Sequence, residues 1–88
     1  MDIPPRSIIR EDAFEDELRL LIADAEEADE FTAAAEWVLA HEPHAGTLAD
    51  DGPPAVWVLP MQPADNEAIW LLYTFDESTV IFLGLRRI

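Results

Sequence analysis

Apolar side chains recur along the first half of the chain with the period of a helix. Phe14, Leu18, Leu21 and Ile22 fall at i, i+4, i+7 and i+8, and Phe31, Ala34, Ala35 and Val38 form a second stripe. At 100° per residue the second stripe points roughly 135° away from the first if one straight helix carries both. A break within Ala23–Glu30 removes the conflict, so the spacing favours a helical hairpin, over 12–23 and 25–42, to one long helix. Asp12 with Glu15 offers a capping pair for the first helix, and Asp24 with Glu27 offers one for the second. Pro43 closes the second helix, and the turn-forming run His44–Pro54 reads as loop. Ahead of the helices, Pro4 and Pro5 exclude helix and Ser7–Arg10 reads as a short strand.

The second half changes period. Val56–Leu59, Ala68–Phe75 and Thr79–Leu85 are rich in β-branched and aromatic residues. Asp76-Glu77-Ser78 is a tight hairpin turn between the last two, and Pro60–Glu67 a wider one before them. The predicted order is β-α-α-β-β-β, one α+β domain over residues 1–88, with a helical hairpin packed on one face of a largely antiparallel sheet. Along Ala68–Phe75 one face carries Ile69, Leu71, Tyr73 and Phe75, and the other Ala68, Trp70, Leu72 and Thr74. Along Thr79–Leu85 the same alternation separates Thr79, Ile81, Leu83 and Leu85 from Val80, Phe82 and Gly84. Neither strand shows the apolar-in, polar-out alternation of a sheet with one wet face. Two short helices cover one face, so the other is expected to meet a partner, unless the first strand, the long loop and the N-terminal arm cover it.

Charge sharpens this division. Nineteen Asp and Glu stand against five Arg and no Lys, a net charge of −14. Residues 1–51 hold fifteen acids and three Arg, and residues 52–88 hold four acids and two Arg, so −12 falls on the helical half and −2 on the sheet half. Phosphate affinity comes mainly from Lys and Arg, so direct nucleic-acid binding is not expected at low salt, and an anionic membrane would repel the chain. The absence of Lys and the single Asn66 fit a GC-rich genome or a salty cytoplasm. Without Cys the chain has no disulfide, thiolate nucleophile or cysteine metal site. No signal-like or membrane-spanning apolar run is present, and a cytoplasmic protein without cofactor is expected.

Metal chemistry has weak footing. His41-Glu42-Pro43-His44 places two imidazoles near one another, but the proline interrupts helical ligand spacing and no third ligand is fixed. The acids of Asp24–Glu30 lack the alternating pattern of a calcium loop and read as a solvated helix face. No metal site is assigned.

The order and spacing of these elements resemble the RelE/ParE superfamily of toxins from type II toxin–antitoxin modules. The matching stretches are Glu30–Leu48 (EFTAAAEWVLAHEPHAGTL), Ile69–Leu85 (IWLLYTFDESTVIFLGL) and the closing Arg86-Arg87, with Tyr73-Thr74-Phe75-Asp76 the most family-like piece. The resemblance implies a growth-inhibiting toxin neutralised by an antitoxin bound on the apolar sheet face and near the C-terminus. Its members either cleave mRNA at the ribosome or inhibit DNA gyrase. RNA cleavage needs basic groups to hold phosphate and stabilise developing charge. Here Trp70 stands about where a strand Arg is common, Lys is absent, and only Arg86 and Arg87 match the basic positions. The candidate catalytic groups are therefore Tyr73 and Arg86, and the candidate target- or partner-binding residues are Trp70, Phe82, Arg86 and Arg87. Inhibition through protein binding fits this charge better than ribonuclease chemistry. A non-catalytic, toxin-like interaction or homodimerisation module is the alternative.

Overall fold

A computed structural model describes residues 4–63 and 67–87. The elements are β1 (Ser7–Arg10), α1 (Asp12–Leu21), α2 (Ala25–His41), a short 3-10 turn (Pro43–Ala45), β2 (Thr47–Asp50), β3 (Val56–Met61), β4 (Ile69–Phe75) and β5 (Thr79–Arg87). The five strands form one sheet in the order β1-β5-β4-β3-β2, with β1 parallel to β5 and every other pair antiparallel. The chain is thus α+β, with a helical hairpin after β1 and a meander of four strands behind it.

The helix break falls where the two stripes require it. Ile22 leaves helical geometry at φ −128°, its N–H still bonded to the Leu18 carbonyl, and its side chain is buried. Asp24 then caps α2, its carboxylate accepting from the Glu27 N–H at 2.9 Å, a contact that stabilises a helix by about 1 kcal/mol. The capping pair expected at Asp12 and Glu15 does not form. Glu11 is the N-cap residue of α1 and makes no side-chain cap bond. Glu15 instead pairs with Arg10 at 2.9 Å, and Arg10 also lies 3.6 Å from Glu36, tying β1 to both helices.

Two sheet features depart from the sequence reading. The expected loop His44–Pro54 contains a strand, β2, pairing with β3 through Thr47–Val58 and Leu48–Trp57. All four β2 residues are exposed and Ala49 is bulged out of register, so its apolar pattern carries no strand signal. β3 continues two residues further than expected, through Pro60 to Met61, and the remainder of the turn expected over Pro60–Glu67 lies partly outside the described residues. Pro60 is tolerated because it lies past the last β2 pair, where β3 has only β4 beside it.

A second bulge redistributes the faces of β5. Tyr73 pairs with Phe82 and Leu72 with Gly84, leaving Leu83 as the extra residue. Strict alternation groups Leu85 with Ile81. The bulge instead turns it to the helices, where it joins Val80 and Phe82 in the core. That core combines Phe14 and Leu18 of α1 with Phe31, Ala35 and Leu39 of α2 against Ile69, Leu71 and Tyr73 of β4. Phe14 meets Phe82 edge to face at 5.2 Å. Each such side chain, fully buried, contributes about 1.5–3 kcal/mol. Neither helix covers the opposite sheet face, where Trp70 and Ile9 are exposed and Val58, Leu72 and Ile81 are half-buried.

Candidate functional site

The candidate residues separate into a buried group and an exposed corner. Tyr73 is fully buried. Its hydroxyl donates to the Pro43 carbonyl at 2.6 Å and accepts from the Gly46 N–H at 3.1 Å. Burial raises its pKa above 10.0, against a smaller lowering by the Gly46 bond. A neutral phenol with both roles engaged by backbone joins the end of α2 to β4, and it presents no hydroxyl to a substrate. A side chain at Gly46 would collide with that hydroxyl, its Cβ 2.5 Å from the oxygen. Phe82 is also fully buried, held against Phe14, so it lines no exposed surface in this fold.

Arg86 and Arg87 lie at the exposed end of β5. The arrangement there follows from strand lengths. β1 ends at Arg10, opposite Phe82, so the edge of β5 beyond that point has no strand beside it. Glu17 of α1 takes the vacant place: its Oε1 accepts from the Leu85 N–H at 3.1 Å, and its Oε2 pairs with the Arg86 guanidinium. Arg86 also donates to the Leu85 carbonyl at 2.7 Å. Gly84 makes room for this clasp, since a Cβ there would lie 2.5 Å from Glu17 Oε1. Arg87 is left largely in solvent, 3.7 Å from an exposed Glu67, a pair worth little.

Leu20 stands beside these arginines with 79% of its surface exposed, the most exposed large apolar side chain among the described residues. A shallow depression of about 310 Å³ is lined by Glu17, Leu20, Leu21, Leu85, Arg86 and Arg87. This corner can bind a mixed apolar and anionic surface. The carboxylate paired with Arg86 is already held by that arginine and a backbone N–H, so Glu17 is not poised to move a proton, while Glu67 stands exposed beside Arg87. Trp70 lies on the uncovered face, next to a second depression of about 300 Å³ lined with it by Thr47, Ala49, Val58 and Pro60. Trp70, Arg86 and Arg87 are therefore accessible, whereas Tyr73 and Phe82 are not.

The histidines take separate partners. His41 Nδ1 lies 2.7 Å from the Trp37 carbonyl with its ring against the Trp37 indole, and the His44 ring meets Trp57 and Phe75 edge to face. Among the described residues no three His, Asp or Glu side chains gather where they could share a metal ion. None of the described helices is long and apolar enough to cross a membrane.

Sequence reasoning missed Glu17, which reads as one more acid of the solvated helix face. Its spacing held a clue: it lies three residues after Phe14 and four before Leu21, at the margin of the apolar stripe. Arg6 was missed too. Its Nε donates to the Asp76 carbonyl at 2.7 Å and its guanidinium lies 5.7 Å from the Phe75 ring centroid, fastening the N-terminal arm to the β4–β5 turn. Comparison with family models, with curated proteins and with solved structures returns no match.

Proposed function

We propose that this chain is a RelE/ParE-like toxin component that acts in the cytoplasm, inhibiting growth by binding a cellular protein target such as DNA gyrase, and that a cognate antitoxin neutralises it. The reading is supported chiefly by the exposed Arg86–Arg87 pair at the end of β5 beside Leu20, at the positions where the resemblance expects basic residues. The β-α-α order followed by a meander lends support too, with β2 one strand more than the β-α-α-β-β-β layout that the resemblance implies. Binding is favoured over cleavage of ribosome-bound mRNA because the exposed corner offers cation and apolar surface, while the Glu17 carboxylate beside it is engaged by Arg86 and the Leu85 N–H. Tyr73, the other catalytic candidate, spends its hydroxyl on Pro43 and Gly46.

Inducible expression tests the proposal. Induction of the wild-type chain arrests growth, Arg86→Ala/Arg87→Ala relieves the arrest, and the helix-face variant Trp37→Ala leaves it intact. Unimpaired growth with abundant folded wild-type protein contradicts toxicity. It favours instead the non-catalytic interaction module, a reading to which the burial of the Tyr73 hydroxyl lends specific weight.

A further inference from the structure

We infer that the uncovered sheet face is the contact between two copies of this chain, packed face to face about a two-fold axis with both helical layers outermost. The inference rests on how charge and apolar surface are divided between the two sides of the sheet, and it does not depend on the toxin reading.

The interior of the face, built by Ile9, Val58, Trp70, Leu72, Thr74 and Ile81, carries no charged side chain. Among the described residues, charges on this face occur at two corners. Asp50, at the end of β2, is turned into the β2–β3 connection by the Gly52 N–H at 2.9 Å. Arg86, across from Trp70 at the diagonally opposite corner, is folded onto Glu17. The acids crowd the other side: α1 contributes four carboxylates and α2 five, against Arg19 alone. A chain of net charge −14 that keeps one sheet face uncharged can meet its own copy there. With layers spaced about 10 Å apart, the two helical layers stand about 30 Å from each other across a face-to-face pair. That separation exceeds the Debye length of about 8 Å at physiological ionic strength, so the like charges are largely screened. A basic partner is not selected, because the interior of the face offers it no carboxylate and Asp50 at the corner is turned into the β2–β3 connection.

Area and shape fit the same occupant. Three strands of six to nine residues and two of four, spaced by about 4.8 Å and rising about 3.3 Å per residue, give a plan area of about 450 Å². Side-chain relief raises the accessible area, so two copies bury on the order of 1,200 Å² together, within the range of specific interfaces. Trp70 projects beside the 300 Å³ depression that it helps to line, so the face carries a knob next to a hollow. An isologous contact uses both, since each patch must complement itself.

Sedimentation equilibrium of the purified full chain at about 0.05 M and about 0.5 M salt tests this, because salt screens the repulsion between two acidic copies and strengthens a contact made through an uncharged face. The expected result is a dimer whose association tightens with salt. Trp70→Ala and Ile81→Glu each weaken it by more than about tenfold, the first by removing the projecting ring and the second by burying an unpaired carboxylate, while the helix-face control Trp37→Glu does not. Thr74→Glu, at a half-buried threonine, replaces Ile81→Glu if that variant fails to give wild-type circular dichroism. A wild-type monomer at both salt concentrations overturns the inference. So does a dimer that persists in the face variants, which assigns the contact to the β2 edge or the helices, or an association that weakens as salt rises.

Discussion

Tyr73 shows how one side chain can look catalytic and serve the fold. Its hydroxyl satisfies a carbonyl and an N–H where the chain leaves α2 and enters β2, and both backbone groups lose their partner if the oxygen is removed. Tyr73→Phe should therefore lower unfolding free energy by about 1–3 kcal/mol, read from chemical denaturation, with the native fold retained. Asp76 has the opposite character, an exposed carboxylate that organises the β4–β5 turn. Its Oδ1 accepts from the Ser78 and Thr79 N–H groups, each at 2.8 Å, and these bonds, Ser78 first and Thr79 next, lower its pKa below 3.8. The folded chain thus holds this carboxylate charged more readily than the unfolded chain does. Its contribution is fully present above the unfolded value and is lost as pH falls through the lower folded one. Melting temperature measured below pH 4 should accordingly fall less steeply in Asp76→Ala than in the wild type.

At the scale of elements, the edge of β5 is completed by a side chain where β1 runs out. Glu17→Ala leaves the Leu85 N–H without an acceptor and releases Arg86 from α1. Hydrogen exchange at the Leu85 amide should accelerate in that variant while the Phe82 and Leu71 amides keep their protection. Equal acceleration across β4 and β5 would show global destabilisation instead. The helix hairpin, its Asp24 cap and four of the five strands were legible from local pattern, because helical period, strand composition and capping chemistry act over a few residues. β2 was not legible, since Thr47–Asp50 becomes a strand only through long-range pairing with β3 and packs no face of its own. The Leu83 bulge was hidden for a related reason. Alternation predicts sides only while the register holds, and the shift that sends Leu85 into the core comes from matching β5 to β4. Trp70, Arg86 and Arg87, singled out from residue type and position, are exposed. Phe82 and Tyr73 were misplaced because their faces, not their chemistry, decide what they touch.

At the scale of the molecule, the −14 charge resolves into a division of labour between two layers. The helical layer carries nine carboxylates on α1 and α2 against one arginine. The open sheet face is uncharged in its interior, and the two adjacent arginines stand at the end of β5, Arg86 on that face and Arg87 on the helix side. That asymmetry favours protein contacts on the sheet side over contact with RNA, whose phosphates the helical layer repels. Mapping transcript 5′ ends in the minutes after induction tests this claim most directly. The account predicts that growth stops while transcripts keep their original 5′ ends. New 5′ ends within translated messages, appearing as growth stops and absent in Arg86→Ala/Arg87→Ala, would contradict it.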